Sequence, residues 1–255
     1  MSEVRREADA EGQPVAVKVL DRELSARAAM RARWASTSPR LASFEHPNAV
    51  RLLGHAETDD GRLSVTLAWL ETENLRVALR RDGPLTPAGA HAVLAPVARV
   101  IDELDLRGVT HADVKTGNVL LAGGAPVLAH SWLAFALDDP DTGRFLDPEQ
   151  FGGTIDYVAP EVIEGRLPTL RSDVYGLGCT LFELVTRAVP FPRPEEDATL
   201  EAHLHEEPPS SGHAGIDAVV RRALAKDPAA RHPTASDFAA DLADAAKQES
   251  ADPAR

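Results

Sequence analysis

One nine-residue segment, Thr110-His111-Ala112-Asp113-Val114-Lys115-Thr116-Gly117-Asn118, gathers an imidazole, a carboxylate, an ammonium and a carboxamide. These are the group types that move protons, neutralise anions and bind ions. Lysine is scarce in this chain, standing only at positions 18, 115, 226 and 247, and arginine supplies the remaining positive charge. An ammonium acts as a compact point charge where a guanidinium acts as a planar fork. Downstream, His130-Ser131-Trp132 offers a nitrogen donor. Nitrogen suits transition metals, whereas magnesium prefers oxygens in an octahedron. The single cysteine, Cys179, has no partner for an intramolecular disulfide and falls in an apolar helical pattern, which suits a reducing compartment.

The elements that must position these groups change character along the chain. Lys18 lies in the β-branched run Val15-Ala16-Val17-Lys18-Val19-Leu20, and a second strand-like stretch covers residues 62–69 behind the turn signal Asp59-Asp60-Gly61. Between them, residues 22–44 are rich in Ala and Arg, which favours one helix ended by His46-Pro47-Asn48, since proline disfavours helical geometry in the residue before it. A strand, helix, strand order is expected for this part. Further on, Val93, Val97, Ile101 and Leu104 recur at helical spacing, as do Val174, Leu177, Leu181 and Leu184, so the larger part should be mainly helical. Pro96 falls inside the first of these helices, at roughly 3 kcal/mol or a bend in the axis. Thr234-Ala235-Ser236-Asp237 reads as the cap of a last helix that buries Phe238, Leu242 and Ala245, with a frayed tail expected from Gln248 to Arg255.

Length and composition narrow the classes. A chain of 255 residues with 44% hydrophobic content suits one two-lobed domain, and no repeat or linker divides it. The formal net charge of -13 sets most of the surface against nucleic-acid phosphates, so no nucleic-acid partner is expected. No apolar run reaches the length of a membrane span, and the first residues lack a signal-like apolar stretch, so a cytoplasmic location is expected.

Val15-Ala16-Val17-Lys18, His111 to Asn118, Ala159-Pro160-Glu161, Asp173 to Gly178 and Arg231 follow one another in the order they take in bacterial serine/threonine protein kinases, and the chain resembles that family along nearly all its length. The resemblance implies an α+β, two-lobed protein-kinase-like fold in a single domain: a small β-rich lobe over 1–70, a mainly helical lobe over 71–248 and a tail over 249–255. It implies that Asp113 accepts the proton of a substrate hydroxyl, that Lys115 steadies the transferring phosphoryl group and that Asn118 holds one magnesium ion. Lys18 would face the phosphates of ATP, with Ala16, Leu67 and Trp69 bordering the nucleotide. Thr154, in Gly152-Gly153-Thr154-Ile155-Asp156-Tyr157, matches the threonine that closes the substrate site. Glu161 and Arg231 match a structural pair, and Asp173 the helix carboxylate that braces the catalytic loop.

The pattern also breaks. His130 stands where the family carries its magnesium-binding aspartate, Ser131 follows it, and Trp132 replaces a small glycine. Thr37 occupies the position of the helix glutamate that pairs with the strand lysine, and Ala112 replaces the arginine of the catalytic loop. The glycine-rich phosphate loop is missing; Met1-Ser2-Glu3-Val4-Arg5 matches the middle of that loop in the family, so either a lost first strand or a late start is expected. The expectation is a pseudokinase with impaired magnesium binding and ATP binding left open. It would act as an interaction or allosteric module on a protein partner, an active kinase or a regulator. The alternative is a weak or atypical serine/threonine kinase.

Overall fold

The computed structural model describes residues 3–129, 138–139, 144–145 and 155–251. Strands β1 (Glu3–Ala8), β2 (Pro14–Val19), β3 (Leu52–Glu57) and β4 (Leu63–Ala68) form an antiparallel sheet in the order β1-β2-β4-β3. The sequence reading found β2 and β4 and missed their partners, for a physical reason in each case. β1 is an exposed edge strand rich in charge, Glu3-Val4-Arg5-Arg6-Glu7-Ala8, with no apolar alternation to betray it. β3 carries Gly54 and His55 and shifts register between Leu52 and Gly54, which breaks the period of two.

The expected single helix over 22–44 is two: α1 (Arg22–Ala26) and α2 (Ala28–Ala42). They part at Arg27, whose backbone is extended (φ -71°, ψ 125°) and whose N–H closes on Leu24 O at 3.2 Å. Arg31 then donates to Ser25 O, satisfying a carbonyl that a continuous helix would have used. Pro39 sits inside α2, which ends at Ala42, short of the loop His46-Pro47-Asn48. The two lobes are stitched at that loop, since Leu128 N donates to Asn48 O at 2.7 Å and Val50 N to Leu128 O at 2.8 Å.

The large lobe is built from α3 (Leu75–Asp82), α4 (Pro87–Asp105), the hairpin β5 (Val119–Ala122) and β6 (Ala125–Leu128), then α5 (Pro160–Ile163), α6 (Leu170–Thr186), α7 (Glu196–His205), α8 (Ala214–Ala223) and α9 (Ala235–Ala251). Side chains at helical spacing fill its core: Leu94, Val97, Ile101 and Leu104 from α4 and Val174, Leu177, Leu181 and Leu184 from α6 are all buried. α6 is almost wholly enclosed and starts with a reciprocal cap between Thr169 and Ser172. Pro96 lies within α4, which continues through it.

Phe238, Leu242 and Ala245 form the buried face of α9. Its first turn is capped twice over: Thr234 accepts from Asp237 N, and Asp102 of α4 accepts from Ala235 N at 2.8 Å and Ser236 N at 2.9 Å. The helix runs to Ala251 instead of fraying at Gln248, because Glu249 receives Gly215 N and contacts His213 Nδ1. None of the described helices is long and apolar enough to cross a membrane.

Candidate active-site cleft

Lys18 pairs with Val65 across β2 and β4, and Ala16 pairs with Leu67. Two residues apart on one strand, Ala16 and Lys18 share a face of the sheet, as Val65 and Leu67 do on the next strand. Trp69 follows β4 directly, with the Arg6 guanidinium 5.1 Å from its ring centroid. Lys18 is 8% exposed. Burial pushes its ammonium down to about 8; the Asp113 carboxylate pulls the other way and the Lys115 charge adds to the fall. Lys18 therefore shares a charge cluster with the loop of the large lobe. Thr37 is buried on α2, and its hydroxyl lies 3.5 Å from Ser36 Oγ.

The loop is held by its own short contacts. Asn118 Nδ2 donates to Asp113 O at 2.7 Å and to Asp113 Oδ2 at 2.6 Å, while Lys115 Nζ stands 2.8 Å from Asp113 Oδ1. The turn Thr116–Asn118 closes this arrangement through Asn118 N on Lys115 O at 3.0 Å. His111 is fully buried; its Nε2 meets Ala129 O at 3.0 Å and its Nδ1 accepts from Asp113 N at 3.3 Å, which assigns the proton to Nε2. Burial pushes His111 down, keeping it neutral.

Asp173, at the start of α6, receives His111 N at 2.8 Å on one oxygen and Ala112 N at 2.7 Å on the other. This double grip holds Ala112 at φ 60°, a left-handed conformation that costs a residue with a Cβ about 1 kcal/mol or more. Burial pushes the Asp173 carboxyl up to about 7 against the pull of the two N–H groups. Glu161 on α5 and Arg231 form a bidentate pair, with both bonds at 2.7 Å and side chains 4% and 0% exposed. Ser172 also donates to Glu161, and Arg231 reaches Ala225 O and Arg171 O.

Asp113, Lys115 and Asn118 are thus brought together, with Lys18 electrostatically coupled to them. His130, Ser131, Trp132 and Thr154 lie outside the described residues. Among the described residues no cluster of three His, Cys, Asp or Glu side chains is placed to hold a metal ion. Two ammonium groups near one carboxylate suit the phosphates of a nucleotide.

Sequence reasoning missed a second network beside the loop. Thr116 Oγ1 donates to Glu183 Oε2 at 2.8 Å, the Tyr157 hydroxyl donates to the same oxygen, and Arg76 reaches Tyr157 Oη at 3.1 Å and Thr116 Oγ1 at 3.3 Å. A glutamate within the apolar run Leu181-Phe182-Glu183-Leu184-Val185 was the available signal, since a buried acid needs partners.

A β-sheet lobe over a helical lobe, joined at a cleft that holds Lys18, Asp113 and Asn118, defines a protein-kinase fold. The protein kinase domain family model matches residues 1–244, and the chain belongs to that family. It is 35% identical over 246 residues to the probable serine/threonine-protein kinase CE0033 of Corynebacterium efficiens, covering 91% of this chain and 37% of that protein. It is 34% identical over 239 residues to the serine/threonine-protein kinase PknB of Mycolicibacterium smegmatis, covering 89% of this chain and 38% of that protein. The chain therefore spans less than two fifths of the length of these relatives. Among solved structures, the PknI kinase domain of Mycobacterium tuberculosis matches with a TM-score of 0.77 at 25% identity, covering 97% of this chain and 91% of the other.

Proposed function

We propose that this chain is a regulatory member of the protein kinase family, a pseudokinase that engages a protein partner and transfers phosphate slowly or not at all. One observation carries the reading: His130 replaces the carboxylate that would clamp magnesium between the phosphates. Losing one preorganised electrostatic group costs about 100 to 1,000-fold in rate. A family rate of about 1 to 100 per second then falls to about 0.001 to 1 per second from that change alone. Thr37, in place of the helix glutamate that would pair with Lys18, deepens the loss.

A weak serine/threonine kinase is the second reading, and a specific observation favours it. Asp113, Lys115 and Asn118 are assembled at hydrogen-bonding distance in the loop. The relatives are named as serine/threonine kinases, so the comparisons lend more direct support here than to the first reading. Incubation with labelled ATP, magnesium or manganese, and generic serine/threonine substrates separates the two. Transfer faster than about 1 per second that disappears in Asp113→Asn defeats the pseudokinase reading. No transfer, with no ATP-dependent rise in melting temperature, defeats the second.

A further inference from the structure

Ala16 has a large neighbour on either side. It pairs with Arg6 of β1 and with Leu67 of β4, and partners on antiparallel strands share a face of the sheet, their Cβ atoms about 5 Å apart. That face looks into the cleft, because Lys18, two residues along β2, feels the charges of Asp113 and Lys115 in the large lobe. The row Arg6, Ala16, Leu67 is thus large, small, large, and it leaves a slot over the alanine methyl group. Val4 stands in the next row, paired with Lys18, and adds an open apolar wall. A narrow apolar slot with an ammonium beside it suits the flat face of a nucleobase whose phosphates lie toward Lys18.

Arg6 does not point away from that slot. Its guanidinium carbon is 5.1 Å from the centroid of the Trp69 ring, and its Nη1 is 3.9 Å from Glu71 Oε1; both partners lie just after β4. β1 and β4 are not neighbours, since β2 runs between them, and their backbones are about 10 Å apart. The Arg6 side chain therefore reaches across β2, over the outer end of the row in which Ala16 is the middle member. Both of its holds are weak. The ion pair is long and exposed on both sides, and exposed pairs and exposed cation–π contacts each shift an equilibrium only a few-fold. Among the described residues Trp69 Nε1 is enclosed without a hydrogen-bond acceptor, so this arrangement also leaves a donor unmet. A weak and incompletely satisfied bridge suits a contact that is given up and remade.

We propose that Arg6 is a gate on the nucleotide slot: in the empty protein its guanidinium bridges from β1 to Trp69 and Glu71 across the mouth above Ala16, and a nucleobase enters only when that bridge opens. The inference rests on the assignment of Ala16, Lys18, Leu67 and Trp69 to a nucleotide and is independent of whether phosphate is then transferred. A bridge of this strength favours the closed state about fivefold, and by that factor it weakens the binding of whatever must pass beneath it. Inorganic triphosphate, which needs the ammonium groups and not the slot, escapes the gate.

The test is isothermal titration of the full chain with ATP and with inorganic triphosphate, both free of divalent metal, in the unaltered protein, Arg6→Ala and Glu71→Gln. Arg6→Ala should bind ATP about fivefold more tightly and triphosphate no more tightly. Glu71→Gln loosens the same bridge from its far end and should tighten ATP about twofold. Thermal denaturation checks the fold of each variant, and Glu71→Gln decides the matter should Arg6→Ala fail to fold. ATP binding that is unchanged or weaker in the folded variants, equal tightening of ATP and triphosphate, or no binding of ATP by any of the three proteins overturns the proposal. Phosphotransfer faster than about 1 per second and lost in Asp113→Asn would end the pseudokinase reading and leave the gate standing. An Arg6→Ala protein with no gain in ATP affinity would end the gate and leave that reading untouched.

Discussion

If Lys18 faces the phosphates of a bound nucleotide, binding at alkaline pH must be accompanied by uptake of a proton. In the free protein burial holds the ammonium down at about 8, against an ordinary value of 10.5. Lys18 is then about half neutral at pH 8 and about nine-tenths neutral at pH 9. A phosphate beside it favours the charged form and lifts it back toward its ordinary range. ATP binding should thus take up about 0.1 proton at pH 7, about 0.5 at pH 8 and about 0.9 at pH 9. The sign for stability follows from the same depression. The unfolded chain binds more protons than the folded one between about pH 8 and 10.5, so the Lys18 contribution to stability rises across that window and is lost as pH falls through 8. Its full span is on the order of 3 kcal/mol. The assay is isothermal titration with ATP in buffers of different ionisation heat at each pH, repeated with Lys18→Met. Proton uptake that is flat with pH, or that survives in Lys18→Met, refutes the assignment of Lys18 to the phosphates.

Two further changes probe the frame. Arg231→Met strips Glu161 of its bidentate partner in a fully enclosed site, which should cost about 3 to 5 kcal/mol and lower the melting temperature by on the order of 10 °C. Replacing both members with apolar residues should recover much of that loss, and thermal denaturation of the single and double variants checks the pair. Gly178→Ala places a methyl group 2.7 Å from Ala223 Cβ on α8, so it should destabilise by about 1 to 3 kcal/mol despite the better helix propensity of alanine. Urea unfolding measures it, and a neutral or stabilising effect would contradict the close α6–α8 packing.

Much of the large lobe was legible because its helices are amphipathic and long, so Ile101 and Leu184 announce their burial by spacing alone. β2 was legible for a similar reason, as an unbroken β-branched run. What escaped depended on contacts remote in sequence. Glu3–Ala8 becomes a strand because β2 offers it an edge, not because its own residues prefer one. Arg27 divides α1 from α2 through backbone geometry that composition does not record. The catalytic loop was readable as a string of residue types, but not the hold of Asp173, 61 and 62 positions away, on the backbone of Ala112 and His111. Arg76 looked like an ordinary helix residue until the turn at Tyr157 closed over it.

Asp102 gives the last helix a dependence that outlasts the fold itself. Its carboxylate, set in the middle of the chain, completes the opening turn of an element that begins 133 residues later. During synthesis α4 must wait, with the groove for Phe238 and Leu242 uncovered, until the residues of α9 have been made. Docking of α9 onto α4 then joins two elements remote in sequence, and Asp102→Ala should slow that step more than any change on the exposed side of α9.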